Sequence, residues 1–208
     1  MTENNEEKNK DENLVSFVIN SEEISSPNTI GIYGDIDEEL SLSTVHSLLS
    51  YKSMCQQSIT LEEDNKEQDS PEPLQIIIST HGGSAHEMFA IYDVMRLLKK
   101  ECELETIGIG KVMSAGVVLL AAGTKGKRKI GENCRVMVHP VASASVGDLS
   151  DIENETKEIK ILQKLYTKAL VENSELTESQ VKKMLKKKIN VYMSAEEALK
   201  HGIVDEII

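Results

Sequence analysis

Ser114 and His139 are the pair whose residue types and settings fit nucleophilic chemistry. Ser114 falls between a β-like run, Leu104 to Ile109, and a helix-like run, Ala115 to Ala122, with Gly123 placed to end the helix. His139 closes a second β-like run, Cys134 to Val138, and precedes Pro140, which cannot continue a central strand. A serine Oγ attacks poorly until a base takes its proton and donors stabilise the oxyanion that follows. At a helix start the N–H of Ala115 is unpaired within the helix, and the dipole favours negative charge. A second donor must come from another segment. Gly82-Gly83, directly after a buried-strand pattern, can approach closely because no Cβ stands in the way. The competing reading of Ser114 is an ordinary helix N-cap, where serine is common.

The other histidines carry weaker signals. His46 lies in a helix pattern with ordinary polar neighbours, and His201 stands beside Gly202, where a cation suits a helix C-terminus. His81 and His86 flank the Gly-Gly pair, but no carboxylate stands with them at metal-ligand spacing. Neither a metal nor a cofactor is expected. Cys55, Cys102 and Cys134 are far apart and form no C-x-x-C pair, which argues against a disulfide framework and suits a reducing compartment.

The elements that must position Ser114 and His139 are legible from periodicity. Ile30 to Tyr33 reads as a strand and Glu38 to about Ser58 as a helix, with Val45, Leu48 and Leu49 at helical spacing. Leu74 to Ser79 reads as a buried strand, His81 to Ser84 as a turn, and the following residues to about Lys99 as a helix with Met88, Ile91, Tyr92, Met95 and Leu98 on one face. Lys127 to Ile130 and Ile203 to Ile207 complete the strands. Ser150 with Glu153 forms a capping-box pattern opening a long helix to about Glu172. Thr177 with Gln180, and Ser194 with Glu197, open two more. Strands alternating with helices predict an α/β fold of βαβ crossovers.

Composition bounds the function. The chain has 208 residues, enough for one domain with a sizeable core, and a formal charge of −12, which argues against nucleic acid or an anionic membrane as partner. Aromatics are only 3%, too few for a base-stacking platform. The start, residues 1 to 28, is an acidic, polar arm in which Leu14 to Asn20 alternates weakly; it reads as neither a secretion signal nor a transit peptide. Residues 62 to 73 form an acidic, proline-bearing loop insertion in the domain that follows, 29 to 208. A cytoplasmic protein is expected.

The run S-A-G-V-V-L-L-A-A-G-T-K-G-K-R from Ser114, followed by N-C-R-V-M-V-H ending at His139, resembles the active-site region of the ClpP (caseinolytic) peptidases. Gly82-Gly83-Ser84 before A-I-Y-D-V-M at Ala90 to Met95, and S-A-E-E-A with H-G-I-V-D towards the C-terminus, resemble further motifs of that family, so the resemblance spans about residues 30 to 208. It implies a ClpP/crotonase-type fold of repeated β-β-α and βαβ units with a protruding handle helix. It also implies a serine endopeptidase that cleaves unfolded polypeptides through an acyl-enzyme, with Ser114 as nucleophile, His139 as base and the N–H groups of Gly83 and Ala115 as oxyanion hole. Family members stack as two heptameric rings around a chamber, commonly fed by an AAA+ unfoldase.

The chain departs from that family at specific places. The triad Asp position corresponds to Asn190, with Tyr192 and Ser194 following. An amide can orient His139 but brings no charge; in the general serine-protease template the exchange costs about four decades in kcat. His81 stands where the family has Pro before Gly-Gly, and Val141 to Val146 lacks the glycines of the substrate-pairing strand. Gln75 and Ile77 occupy the aromatic positions that dock unfoldase loops. These departures leave a second reading, a weakly active or non-catalytic subunit in a mixed ring with another ClpP. A third is a crotonase-type acyl-CoA enzyme.

Overall fold

A single mixed sheet explains how two distant segments of the chain meet. The computed structural model describes residues 28–62, 72–186 and 189–208. In chain order the elements are β1 (Thr29–Ile36), α1 (Glu38–Glu62), β2 (Leu74–Gly83), α2 (Ala85–Leu98), β3 (Leu104–Met113), α3 (Ala115–Ala121), β4 (Arg128–Ile130) and β5 (Arg135–Val138). They continue with α4 (Leu149–Glu172), α5 (Glu178–Lys186), β6 (Val191–Met193), α6 (Ala195–Lys200) and β7 (Glu206–Ile207). The α/β expectation holds. Residues 1–27 of the expected arm and 63–71 of the acidic loop lie outside the described residues.

The sheet runs β1-β2-β3-β4-β7, all parallel. β3 is shared between two partners. Its first half, Thr106 to Gly108, pairs with β4, and its second half, Lys111 to Met113, pairs with β5, which in turn pairs antiparallel with β6. Between the halves Gly110 takes φ +63° and the register against β2 shifts after Ile78. A left-handed residue is cheap only for glycine, and it re-aims the strand towards its second partner.

Burial follows the pleat. In β2, Leu74, Ile76, Ile78, Thr80 and Gly82 face inward while the alternate residues are more exposed. All of α3 is buried, against β2, β3, α2 and α4. Gly116 in α3 lies so close to Thr80 that a Cβ would collide with its methyl, so the helix seats directly on the strand. In α4, by contrast, no residue before Leu162 is buried; the helix is anchored by Leu162, Tyr166, Thr167, Ala169 and Leu170. Its first ten residues, Leu149 to Glu158, are all exposed, as in a handle helix.

Several local expectations are corrected. β1, β2 and β3 are longer than periodicity indicated, and β2 carries on through His81-Gly82-Gly83, which the sequence suggested was a turn. Pairing with β1 extends it: Asp35 and Ile36 stand opposite Gly82 and Gly83. α1 runs to Glu62, and β7 is only Glu206–Ile207. The long helix does not use Ser150 as its cap. It starts at Leu149 because the Asp148 carboxylate accepts the N–H groups of Ser150 and Asp151. The boxes at Thr177 with Gln180 and at Ser194 with Glu197 form as expected. Near the sheet end, Arg128 pairs with Asp205; burial alone would raise that carboxyl, but hydrogen bonds from Arg128 and the Gly126 N–H hold it below its usual range.

Candidate active site

Strand register places the predicted residues. Met113 of β3 stands opposite Met137 of β5, and the Ser114 N–H donates to the Met137 carbonyl at 2.7 Å. Ser114 and His139 therefore leave the C-terminal ends of adjacent parallel strands. On the other side of β5, Val138 pairs with Val191 of β6. Continuing that antiparallel register sets Asn190 across from His139. Three strand ends, from β3, β5 and β6, thus deliver Ser114, His139 and Asn190 side by side.

Ser114 is no ordinary cap. It has φ +52° and ψ −119°, the only positive φ on a non-glycine among the described residues, and its side chain makes no capping hydrogen bond. A backbone in this sparsely populated region costs of order 1–3 kcal/mol and persists only where its surroundings enforce it. Here the enforcement is visible. The carbonyl of Ser114 accepts the Val117 N–H at 3.0 Å and the Tyr166 hydroxyl at 3.1 Å. Burial pushes the Tyr166 phenol well above its usual range, so it remains a neutral donor. On the opposite side lies Gly82, at φ +100°, where a Cβ would come within 2.6 Å of the Ser114 Cβ and 2.9 Å of the Met113 carbonyl oxygen. A sharp strand-to-helix turn that frees its hydroxyl from capping is the geometry of a nucleophile elbow.

Ser114, His139, Gly83 and Ala115 line one cleft of about 450 Å³. Its apolar wall is Met88, Ile159, Leu162 and Tyr166; its rim carries His81, His86, Ser143 and Glu155. Gly83 sits against the backbone of Ile36, where any Cβ would collide, so only glycine fits this approach. The segment after His139 is anchored by the Val141 N–H, which donates to Gln163 Oε1 at 2.8 Å. A larger groove of about 780 Å³ lies between α4 and α5, but it holds none of the predicted residues.

Not every expected contact is made. Among the described residues, no hydrogen bond joins Ser114 to His139 or His139 to Asn190, and Asn190 is exposed and absent from the cleft lining. Cys55, Cys102 and Cys134 are free and buried, away from the cleft; burial pushes the Cys134 thiol up to about 11, where it is a poor nucleophile. Among the described residues, no helix is long and apolar enough to cross a membrane. Sequence reasoning missed Tyr166. Its signal was a tyrosine at helical spacing from Leu162, Ala169 and Leu170, since a buried phenol needs a partner for its hydroxyl.

The family model described as Clp protease matches residues 16–208. The "ATP-dependent Clp protease proteolytic subunit" of Deinococcus radiodurans is 34% identical over 156 residues, covering 75% of this chain and 72% of that protein. The "ATP-dependent Clp protease proteolytic subunit 2" of Prochlorococcus marinus is 36% identical over 142 residues, 68% of this chain and 69% of its own length. The "ATP-dependent Clp protease proteolytic subunit 1" of Tropheryma whipplei is 35% identical over 143 residues, 68% and 67%.

Proposed function

The chain belongs to the Clp protease family, and on that premise we propose that it is a serine endopeptidase acting on unfolded polypeptides through Ser114. The observation that carries this reading is the uncapped Ser114 elbow beside the strand end that bears His139. In the proposed reaction His139 removes the Ser114 proton as Oγ attacks the scissile carbonyl carbon. The N–H groups of Gly83 and Ala115 hold the resulting oxyanion. His139 then protonates the departing amine, leaving an ester on Ser114. Water, deprotonated by His139, attacks that ester and releases the acid. Asn190 orients His139 through its amide carbonyl without adding charge. The site needs no metal or cofactor.

The proposal includes two stacked heptameric rings, alone or mixed with another ClpP, in the cytoplasm, with an AAA+ unfoldase delivering substrate. The relatives' printed "ATP-dependent" supports the last point for those proteins. A second reading, a weakly active or non-catalytic ring subunit, is favoured by one observation: among the described residues, no hydrogen bond holds Asn190 to His139, and Asn190 is exposed. The two separate in one experiment. The purified assembly is treated with a fluorophosphonate probe and assayed on an unfolded polypeptide beside its Ser114→Ala variant. Labelling at Ser114 and turnover lost in the variant support the endopeptidase. No labelling, with co-assembly onto an active ClpP whose turnover is indifferent to Ser114→Ala, supports the second reading.

A further inference from the structure

We propose that the cleft selects a cationic peptide side chain, lysine or arginine, beside the scissile bond, and that Glu155 is the selecting residue. This inference rests on the cleft being a peptide site. Among the described residues lining it, Glu155 is the one carboxylate, and no lysine or arginine faces it. Glu155, Ile159 and Leu162 follow one another at helical spacing on α4 and all line the cleft, with Glu155 exposed, Ile159 half-buried and Leu162 buried. Ser143, across the cleft, donates its hydroxyl to Glu155 Oε1 at 3.2 Å. That contact leaves the second carboxylate oxygen for a ligand, since a carboxylate accepts about four hydrogen bonds.

The shape suits a long cation. Lysine and arginine carry an apolar stem and a charged head. Seated in the cleft, the stem lies along Met88, Ile159 and Leu162 and the head meets Glu155. A leucine gains only the wall. A glutamate loses the wall's benefit and meets a like charge. The nearby Glu158 adds to the negative field, although His86 faces it at 4.0 Å. Lys157 and Lys160 lie on α4 too but not in the cleft lining. An exposed ion pair is worth little alone, but exchanging attraction for repulsion doubles the contrast. The expected preference for a lysine over a glutamate peptide is about three- to tenfold, and it shrinks with added salt.

Binding separates this proposal from the peptidase reading. Labelled peptides identical but for one Lys, Leu or Glu are titrated by fluorescence anisotropy at pH 8 against the assembled Ser114→Ala protein. Tighter binding in the order Lys, Leu, Glu is expected, with the contrast lost in Glu155→Gln. It should persist in Glu132→Gln, which makes the same charge change before the opposite end of β5. Equal binding, no measurable binding of any peptide, a contrast kept in Glu155→Gln, or one lost equally in Glu132→Gln each overturns the proposal. Charge-selective binding by a chain that shows no hydrolysis removes the peptidase reading and leaves the selectivity standing. Hydrolysis without charge preference does the reverse.

Discussion

The two ends of the candidate catalytic row are built differently. At Ser114 the backbone is clamped from several sides: its N–H by Met137, its carbonyl by Val117 and Tyr166, its flank by Gly82. At Asn190 only strand register acts; the side chain is exposed and makes no hydrogen bond to His139 among the described residues. Strain needs dense support to survive, and the support is all at Ser114. The proposed nucleophile is therefore preorganised and the proposed orienting residue is not. Such a site holds the costly part of the geometry ready and gains least from its third member.

Breaking the clamped end should give the largest effects. Ser114→Ala should lower kcat by about three decades or more, read as polypeptide hydrolysis. Any smaller loss would place the reaction elsewhere. Gly82→Ala should be next. A Cβ there strikes the elbow at an unfavourable φ, so urea unfolding should show a loss of about 2–4 kcal/mol, with fluorophosphonate labelling slowed in the surviving folded protein. A stability loss without slower labelling would mean that Gly82 supports the fold and not the elbow.

Sharpening the loose end tests the other half of the comparison. Asn190→Asp restores a charge beside His139 and should raise kcat by about tenfold or more, given the four decades that the reverse change costs in the serine-protease template. No change would mean that the side chain at position 190 does not reach His139. The smallest effect belongs to Tyr166→Phe. It removes one of two hydrogen bonds to the Ser114 carbonyl, a loss of about 1 kcal/mol, and should lower kcat about fivefold with KM unchanged. A matching rise in KM would assign Tyr166 to the cleft wall alone.

Outside this comparison, Arg128 with Asp205 sets an acid limit. Asp205 is held below its ordinary value of 3.8, so its contribution to stability is complete above that value and is lost as pH falls through the lower folded-state value. Thermal melts should show an acid-side loss that Asp205→Asn abolishes.

Local chemistry was legible in the sequence. Thr177 with Gln180 and Ser194 with Glu197 capped helices as their spacing required, because a capping box closes within a few residues. Apolar alternation marked β2, and the S-A-G and H-P junctions marked where Ser114 and His139 leave their strands. Short-range rules failed where a neighbour decided. Asp148 outcompeted Ser150 for the cap, and β1 drew Gly82 and Gly83 into β2 although two glycines favour a turn.

By itself the sequence determined which groups are available: a serine before a buried apolar helix, a histidine at a strand end, glycines at the approaches. Only the tertiary structure decided their relation. Whether Ser114 caps or attacks depends on a backbone angle that Tyr166, Val117 and Gly82 impose together. Whether Asn190 meets His139 depends on the pairing of β6 with β5. Caps and periodicity are energies between near neighbours in the chain, whereas angle and register are set by contacts between residues far apart in it, and those exist only once the sheet has closed.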